Sequence, residues 1–463
     1  MRSVKLRKRL FILLATIIPI LGLPVSGQAV TYHVDGASGN DTNVGTSREA
    51  PLRTIAKAHG KAVAGDTIRV LKGTYNTRTY ISRSGASGKP IVYEAEPGVV
   101  CTGFTVKASY IHIVGFEISD TVNDWVDGAG VHVVGKYNEI RTNYIHDVTR
   151  VGIQIFSPSP DSPDGSNCVV RGNRVTRAGL AGIEVYGRNH LVEQNDISHI
   201  LQFPQKWTNP PSWADADGLH FFGSGHIIRK NLIYDITLSD PENINPHIDC
   251  FQTYGPAYNI VFEQNFCNIP NDNMQGFMIE QKESPVRDIV VRNNVIKAFR
   301  PLNVWDCPNT VNVNNTFKSE LFYRGGSAYG IELHNSPNSK VKNNLFYDVA
   351  RHSNPYLYMD RVSSEGSDVG YNCHYISDGK PPAGSPRAND LWRVNPRLVK
   401  VLGNDFRLQA GSPLIDRGTL LTDVKDDFDG VARPQGLTHD IGAFEYTPVK
   451  KSPNPPTNLK TVK

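Results

Sequence analysis

Four stretches decide the fold: LVEQNDI at residues 191–197, IIRKNLI at 227–233, VFEQNFC at 261–267 and VVRNNVI at 290–296. Related stretches recur from residue 139 to residue 346, and each has an asparagine at its fifth position. The copies are 21 to 36 residues apart, so a fixed unit carries a loop of variable length. The aligned asparagines are Asn143, Asn173, Asn195, Asn231, Asn265, Asn294, Asn315 and Asn344.

A second motif of five residues accompanies the asparagine motif, and its apolar residues alternate with others. Its copies are GVHVV, GIQIF, GIEVY, GLHFF, CFQTY, GFMIE and GIELH. Two short strands and a turn cannot bury their own apolar face, whereas stacked copies can. We therefore predict an all-β fold, a right-handed parallel β-helix, with equivalent residues of neighbouring coils about 4.8 Å apart. Leucine-rich repeats and propellers are excluded, because the coils lack a consensus of constant length and a four-strand blade.

The aligned asparagines are expected to be structural rather than catalytic. Asparagine tolerates the left-handed backbone conformation that a tight turn requires. Stacked amides can also hydrogen-bond from coil to coil, for about 1 kcal/mol each. We predict one column of asparagines along the helix.

The two ends of the chain differ in composition from the repeats. Residues 1–29 combine a basic start, an apolar run and small residues at Gly27 and Ala29, as secretory signal peptides do. An uncleaved membrane anchor is the alternative, although Pro19 interrupts an apolar run that is short for a span. We assign residues 30–447 to the β-helix domain and residues 448–463 to a linker or tail rich in proline and lysine. The expectation is a monomer that is secreted or held in the cell envelope, with no membrane span after signal cleavage.

The charge of the chain bears on whether it binds nucleic acid, and its cysteine content bears on disulfides. The chain has a net charge of +4, but nine of its basic residues lie in the two terminal segments, which leaves 40 Lys and Arg against 45 Asp and Glu between them. A weakly acidic body argues against a nucleic-acid partner. The six cysteines are scattered, and we expect most of them to be small buried residues, although one pair could be bridged.

Segments near both ends resemble those of secreted bacterial β-helix proteins that act on polysaccharides, including calcium-dependent pectate lyases. The opening segment runs from TYHVDG to IRVLKGTY, and the closing one from DFRLQAGSPLIDRG to DIGAFEY. Within the first, PLRTIAKAHGKAV has helical periodicity and predicts a short helix that caps the open first coil. The resemblance implies the β-helix fold and a polysaccharide substrate.

Stacking the coils in register predicts a continuous outward-facing stripe. Its aromatic members can stack on sugar rings while its polar members bond hydroxyls, so we predict a polysaccharide-binding surface. The first outward row is His132, Gln154, Glu184, His220, Gln252, Met278 and Glu332. The second is Val134, Phe156, Tyr186, Phe222, Tyr254, Glu280 and His334.

Long insertions flank the middle of this stripe. They are LQFPQKWTNPPSWADA before Asp217, TLSDPENINPH before Asp249 and SPSPDSPDGSN after Phe156. We expect them to form walls beside the stripe, since functional residues are often carried by loops that extend from a rigid scaffold. Trp207 and Trp213 would then cover a bound sugar, or else fold their own loop onto the body.

Three acids are the candidate catalytic groups. Asp217 and Asp249 precede equivalent strands of adjacent coils, and Glu280 lies one coil further on. Neighbouring carboxylates raise each other's pKa unless a cation separates them. Either a calcium ion bridges Asp217 and Asp249, or one acid stays protonated as a general acid opposite a carboxylate base or nucleophile. The alternative is that the two aspartates only cap turns.

The resemblance to calcium-dependent pectate lyases extends to individual residues. It implies that DADGL, with Asp217, and the strand that begins at Asp249 hold calcium, and that a lysine on the next coil removes the proton. Met278 occupies the position of that lysine, and Gln252 that of an outward aspartate. Lys282 or His220 would have to act as the base instead.

These patterns predict a carbohydrate-active protein that binds a polysaccharide and cleaves it by hydrolysis or by elimination. Asp217, Asp249 and Glu280 are the expected acids. The expected substrate-binding residues are His132, Gln154, Glu184, Tyr186, Gln252, Tyr254, Trp207 and Trp213. A non-catalytic carbohydrate-binding or cell-surface module is the alternative, since the fold alone does not imply an activity.

Overall fold

In the computed structural model, three long sheets wind into a parallel β-helix, as predicted. The structure describes residues 28–159, 162, 164–205, 212–213, 215–237, 247–269, 274–282, 284–319, 329–349 and 354–448. Residues 1–27 of the proposed signal peptide, and all of the proposed tail except residue 448, lie outside these ranges.

The sheet that carries the predicted stripe, here called the front sheet, has 11 strands, all parallel. Each strand pairs with its equivalents in the coils before and after it. In sheet order they are Thr79–Ile81, Phe104–Val106, Val131–Val133, Val151–Ile155, Ala181–Val185, Asp217–Phe221, Asp249–Thr253, Gln275–Glu280, Arg300–Trp305, Ile331–His334 and Leu357–Met359.

Two further parallel sheets complete each coil. The second comprises Thr31–Val34, Thr67–Val70, Ile91–Ala95, Ile111–Val114, Glu139–Arg141, Val169–Arg171, Leu191–Glu193, Ile227–Arg229, Ala257–Glu263, Val286–Arg292, Val311–Val313, Lys340–Lys342 and Asp368–Gly370, with Gly223–Ser224 beside Ala257–Glu263. The third comprises Gly73–Tyr75, Val99–Cys101, Glu117–Ile118, Tyr144–Val148, Arg174–Ala178, Asp196–Ser198, Leu232–Tyr234, Phe266–Ile269, Val295–Ala298, Thr316–Lys318, Leu345–Tyr347, Cys373–Tyr375 and Leu391–Trp392.

The remaining elements lie at the ends and in loops. The predicted capping helix is Ile55–Lys61, whose Ile55 and Ala58 pack into the core at the first coil. A second helix, Arg361–Ser364, a 3-10 turn, Val401–Gly403, and two antiparallel pairs complete the described elements. The pairs are Pro204–Gln205 with Ser212–Trp213, and Leu398–Lys400 with Asp405–Leu408.

Side chains of the front-sheet strands alternate between inward and outward positions, and the inward ones fill the core as predicted. The inward residues are buried in every coil that the sequence aligned: Val131, Val133, Ile153, Ile155, Ile183, Val185, Leu219, Phe221, Phe251, Thr253, Phe277 and Ile279. One coil was missed: PLNVW at residues 301–305 has the same alternation, with Leu302 and Val304 facing inward, but begins with Pro301 where most copies have glycine. Asn303 and Trp305 therefore belong to the two outward rows, in register with Met278 and Glu280.

The asparagine column forms as predicted and continues to Asn372. Each side chain donates from Nδ2 to Oδ1 of the next asparagine, at 2.9 to 3.1 Å from Asn143 through to Asn372. That same Oδ1 also accepts the backbone N–H of the preceding asparagine. The predicted amide stacking is thus confirmed, but the left-handed conformation belongs to the residue before each asparagine, such as Gln194 or Lys230, and not to the asparagine itself.

A C-terminal segment and a disulfide further stabilise the β-helix. The segment after Ser412 packs Leu414, Ile441 and Phe444 against the outer face of the third sheet, and a buried ion pair joins Arg433 to Glu445 at 2.7 Å. One disulfide, Cys250–Cys267, links the front sheet to the third, and the other four cysteines are buried thiols. Within the described residues no helix is long and apolar enough to cross a membrane.

Candidate functional site

The polar row of the front sheet runs over five coils, from His132 to Gln252, and its first four members form a hydrogen-bonded ladder. His132 Nδ1 lies 2.6 Å from Gln154 Oε1, and Gln154 Nε2 donates to Glu184 Oε1 at 2.5 Å. Glu184 Oε2 lies 3.3 Å from His220 Nδ1. The register is the predicted one, but these side chains are buried rather than solvent-facing, with at most 5% of each residue exposed. The polar row is therefore an internal network, not an open binding surface.

The second outward row is the part of the stripe that a polymer can reach. Its rings contact one another from coil to coil: Tyr186 and Phe222 are stacked, with centroids 4.6 Å apart. Phe156 and Tyr186 meet edge to face at 5.7 Å, as do Phe222 and Tyr254 at 5.0 Å. Phe222 is buried, Phe156 and Tyr186 are half-buried and Tyr254 is 38% exposed. This aromatic ridge lies beside the polar row.

A buried chain of alternating charges runs through the centre of the site. Arg150, whose guanidinium lies 3.7 Å from the centre of the Trp125 ring, is 3.2 Å from Glu184, and His220 lies between Glu184 and Asp217. Burial alone would raise the pKa of Glu184, but His220 and Arg150 hold it at about 2. Burial opposes a charge on His220, yet its bonds to Asp217 and Glu184 raise its pKa to about 10. The two positive and two negative side chains of this chain therefore neutralise each other inside the protein.

Asp217 serves both of the roles that the sequence left open. Its Oδ1 accepts the backbone N–H of Asp249 at 2.7 Å, which fixes the start of the next coil. Its Oδ2 lies 2.8 Å from His220 Nε2. Asp217 thus links two neighbouring coils by a hydrogen bond and also belongs to the charged chain.

Asp249 has a different environment from Asp217, although both are fully buried. Among the described residues its carboxylate accepts no backbone N–H, and its close partner is His247, whose Nδ1 lies 3.0 Å from Oδ2. Burial raises the pKa of Asp249 from 3.8 to about 7, against the opposing effect of His247. Asp249 therefore gains and loses its proton near neutral pH, unlike an ordinary aspartate.

His247 is the residue that the sequence reasoning missed. It lies two residues before Asp249, and 38% of its side chain is exposed, so it connects the buried carboxyl to the surface. Its contact with Asp249 raises the pKa of His247 to about 9. Its Nε2 lies 2.7 Å from Gln275 Nε2, and its Nδ1 is 3.4 Å from Gln252 Nε2. The signal was present in NPHID, where a histidine precedes the candidate acid by two residues.

Glu280 and Lys282 do not join this centre, which corrects two sequence expectations. The residue opposite Asp249 in the next coil is Gln275, five positions before Glu280, or about 16 Å along a strand. Glu280 instead lies in the second outward row next to Trp305, and its Oε1 pairs with Lys282 Nζ at 2.7 Å. Lys282 is exposed, over the Tyr254 ring. Met278 occupies the position opposite Gln252.

The donor set around Asp217 and Asp249 does not fit a calcium ion. Both oxygens of Asp217 already bond protein donors, and the side chain facing each aspartate is a histidine with a raised pKa. Calcium takes six to eight oxygen ligands. No three His, Cys, Asp or Glu side chains are placed to share a metal anywhere in the described ranges. Calcium therefore stays a prediction, and no step is derived through it.

The two tryptophans of the long insertion remain predictions. Trp207 lies outside the described residues, and for Trp213 the structure describes the backbone, in the pair with Pro204–Gln205, but not the side chain. The predicted loop walls fall largely in undescribed ranges.

Comparison with known proteins confirms the family. A family model described as "Pel9A-like, right handed beta helix region" matches residues 32–173, and one described as "Right handed beta helix region" matches residues 129–375, more than half of the chain. The chain belongs to the right-handed β-helix family. The Pel9A-like match ends before Asp217, so it covers the first coils of this β-helix protein and not its candidate acids.

Two solved structures share the fold of this β-helix protein. They are the pectate lyase Pel9A, at 16% identity over 90% of this chain and 96% of that one, and XylC in complex with xylose, at 13% identity over 90% and 98%. The TM-score is 0.55 for both. A curated relative, the uncharacterized protein YwoF of Bacillus subtilis (strain 168), is 31% identical over 168 residues. That match covers 29% of this chain and 36% of YwoF.

Proposed function

We propose that this β-helix protein is a secreted or envelope-held glycoside hydrolase that binds a polysaccharide along its front sheet. The proposal depends chiefly on the contrast between Asp249 and Asp217. Asp249 has a pKa of about 7 and no backbone donor, whereas Asp217 accepts a backbone N–H and faces a protonated histidine. Two carboxyl groups whose environments differ in this way can divide the acid and base roles of glycoside hydrolysis.

The residues have distinct roles in this proposal. Asp249 is the general acid that protonates the leaving oxygen, and half-exposed His247 passes protons between that carboxyl and the substrate side. Asp217 is the second carboxylate. Glu184 and Arg150 are positioning residues, because they hold His220 charged against Asp217. Tyr186 and Tyr254 of the aromatic ridge stack on the sugar rings.

Elimination is less well supported than hydrolysis. A lyase needs a neutral base to remove a proton, and the lysine position of the pectate-lyase pattern carries Met278. His220 has a pKa of about 10 between two carboxylates, so near neutral pH it already holds its proton. Lys282 is paired with Glu280 at the far end of its strand.

The comparisons support the substrate class. Pel9A is by its printed name a pectate lyase, and XylC is described in complex with xylose. Both carry the fold of this chain, and one family model is Pel9A-like. A sugar polymer is also the ligand that suits an aromatic ridge next to polar groups.

A non-catalytic polysaccharide-binding role is the second candidate. The observation in its favour is that Asp217 and Asp249 are both 0% exposed, so a substrate must reach them through His247. Ridge residues such as Tyr254 stay accessible and would bind a polymer without any chemistry.

Products from a panel of polysaccharides distinguish these functions. The protein is incubated with each polymer, with and without a chelator, and new reducing ends and the ultraviolet absorbance of unsaturated ends are both read. We expect reducing ends without that absorbance, and no effect of the chelator. Asp249→Asn should lower turnover by at least about a hundredfold, as for a lost general acid, while Lys282→Ala should leave it nearly unchanged. Unsaturated ends would show a lyase, and retained binding without any product would show a binding module.

A further inference from the structure

A second aromatic surface lies on the same face, beyond the candidate acids. Trp305 ends the strand Arg300–Trp305 and stacks on His334 of the next coil, with ring centroids 3.7 Å apart and planes 8° apart. Tyr358 continues the stack, 4.8 Å from His334. Trp305 is 40% exposed, so part of its indole is accessible to a ligand. We call these three residues the aromatic platform.

Polar atoms beside the platform have no hydrogen-bond partner. Arg300 Nε, Glu332 Oε1 and His334 Nε2 are buried and make no hydrogen bond within the described residues, although Arg300 also lies over the Phe299 ring. The side chain of Glu332 is nine-tenths buried. Its oxygens lie 3.8 Å from Arg300 Nε and 3.5 Å from His334 Nε2, too far for good hydrogen bonds. Because buried polar atoms are nearly always satisfied, such a group indicates a missing hydrogen-bonding ligand.

Hydrogen bonds hold the indole of the platform in place. Trp305 Nε1 donates to Asn303 Oδ1 at 2.8 Å, and Asn303 Nδ2 donates to Gln275 Oε1 at 2.9 Å. Gln275 Nε2 lies 2.7 Å from His247 Nε2, but both nitrogens are donors when His247 is protonated, so the chain of hydrogen bonds ends at Gln275. Asn303 and Gln275 are buried. The orientation of the indole is therefore fixed by Asn303.

We propose that Trp305, His334 and Tyr358, with Arg300 and Glu332, form a binding subsite for a pyranose unit of a polysaccharide. The ring of the sugar lies on the indole, and its hydroxyls bond the unpaired groups of Arg300 and Glu332. Gln252 and Glu332 are three coil steps apart, about 15 Å along the axis, so the subsite binds a unit remote from the cleaved bond. This inference rests on the proposed function for its substrate class.

Binding is measured apart from cleavage, by titrating the Asp249→Asn variant with xylan and, separately, with polygalacturonate. These polymers represent neutral and acidic sugars. Adding Trp305→Ala to that variant should weaken binding at least about tenfold, as for loss of an aromatic anchor. Trp305→Phe keeps the ring and should recover most of the affinity. Tyr137→Ala is the matched control, because Tyr137 is 43% exposed and stacked on Tyr110 outside the front sheet.

The outcomes separate this subsite from the proposed hydrolysis. Unchanged affinity in the Trp305→Ala variant, or no binding of either polymer, overturns the subsite, even if the native protein cleaves polysaccharides. Binding that depends on Trp305 in a protein that cleaves nothing supports the subsite and overturns the hydrolase. In an active protein, Trp305→Ala should raise KM more for long polymers than for the shortest cleaved oligosaccharide.

Discussion

Replacing Asp249 by asparagine should stabilise the folded protein, and only above acidic pH. The folded-state pKa of about 7 exceeds the ordinary 3.8, so the native protein retains a proton that the unfolded chain has lost. Stability is therefore lost as the pH rises through 7, and the full cost of this rise in pKa is about 4 kcal/mol. Asparagine keeps the shape without that cost.

The pKa of about 7 already includes the opposing effect of His247, so the loss of that contact is not subtracted again. We expect the Asp249→Asn variant to match the native protein near pH 4 and to exceed its free energy of unfolding by about 4 kcal/mol near pH 8. A loss of activity combined with a gain of stability is typical of a group retained for function.

Guanidinium denaturation at a series of pH values measures this difference. Asp217→Asn is the matched control, because the same isosteric change there removes the carboxylate facing His220. It should destabilise the protein by about 3 kcal/mol, the usual cost of breaking a buried pair. A difference between Asp249→Asn and the native protein that stays constant from about pH 4 to 8, or a lower stability of the variant near pH 8, would refute the reasoning.

Three further predictions concern activity and the frame of the fold. Turnover of the native protein should fall as the pH rises through about 7, where Asp249 loses its proton, and a pH profile of kcat checks this. Asn265→Ala should lower the free energy of unfolding by about 2 to 5 kcal/mol, because it leaves the buried backbone N–H of Asn231 in the asparagine column without an acceptor. Asn40→Ala on the surface should cost about 1 kcal/mol or less. Replacing Cys250 and Cys267 together by alanine should cost about 3 kcal/mol for a loop of this length, and thermal denaturation measures that loss.

The fold was predictable because its determinants repeat. Each asparagine motif marks one coil, and alternation within one strand fixes which side chains face the core. The exception is the coil of Arg300–Trp305, whose motif PLNVW begins with proline instead of glycine. Because PLNVW precedes the asparagine motif VNVNNTF, the sequence contained the signal that would have revealed Asn303 and Trp305.

The candidate site was predictable only in part. Equal offsets on successive coils correctly placed His132, Gln154, Glu184, His220 and Gln252 in one row. The same reasoning misplaced Glu280, because it counted coils and not positions along the strand. His247 escaped it altogether, since the residue belongs to an insertion that has no counterpart in the other coils.

The sequence by itself determined the stacking of coils, because inward apolar residues and aligned asparagines permit one register. Burial of the polar row was decided by tertiary structure, since it depends on which neighbouring groups cover a strand. The protonation of the acids was decided there as well: Asp217 meets a backbone N–H and His220, whereas Asp249 meets His247 in a dry interior. Identical side chains at nearly identical positions differ chemically because the pKa depends on burial and nearby charge, which only the folded chain fixes.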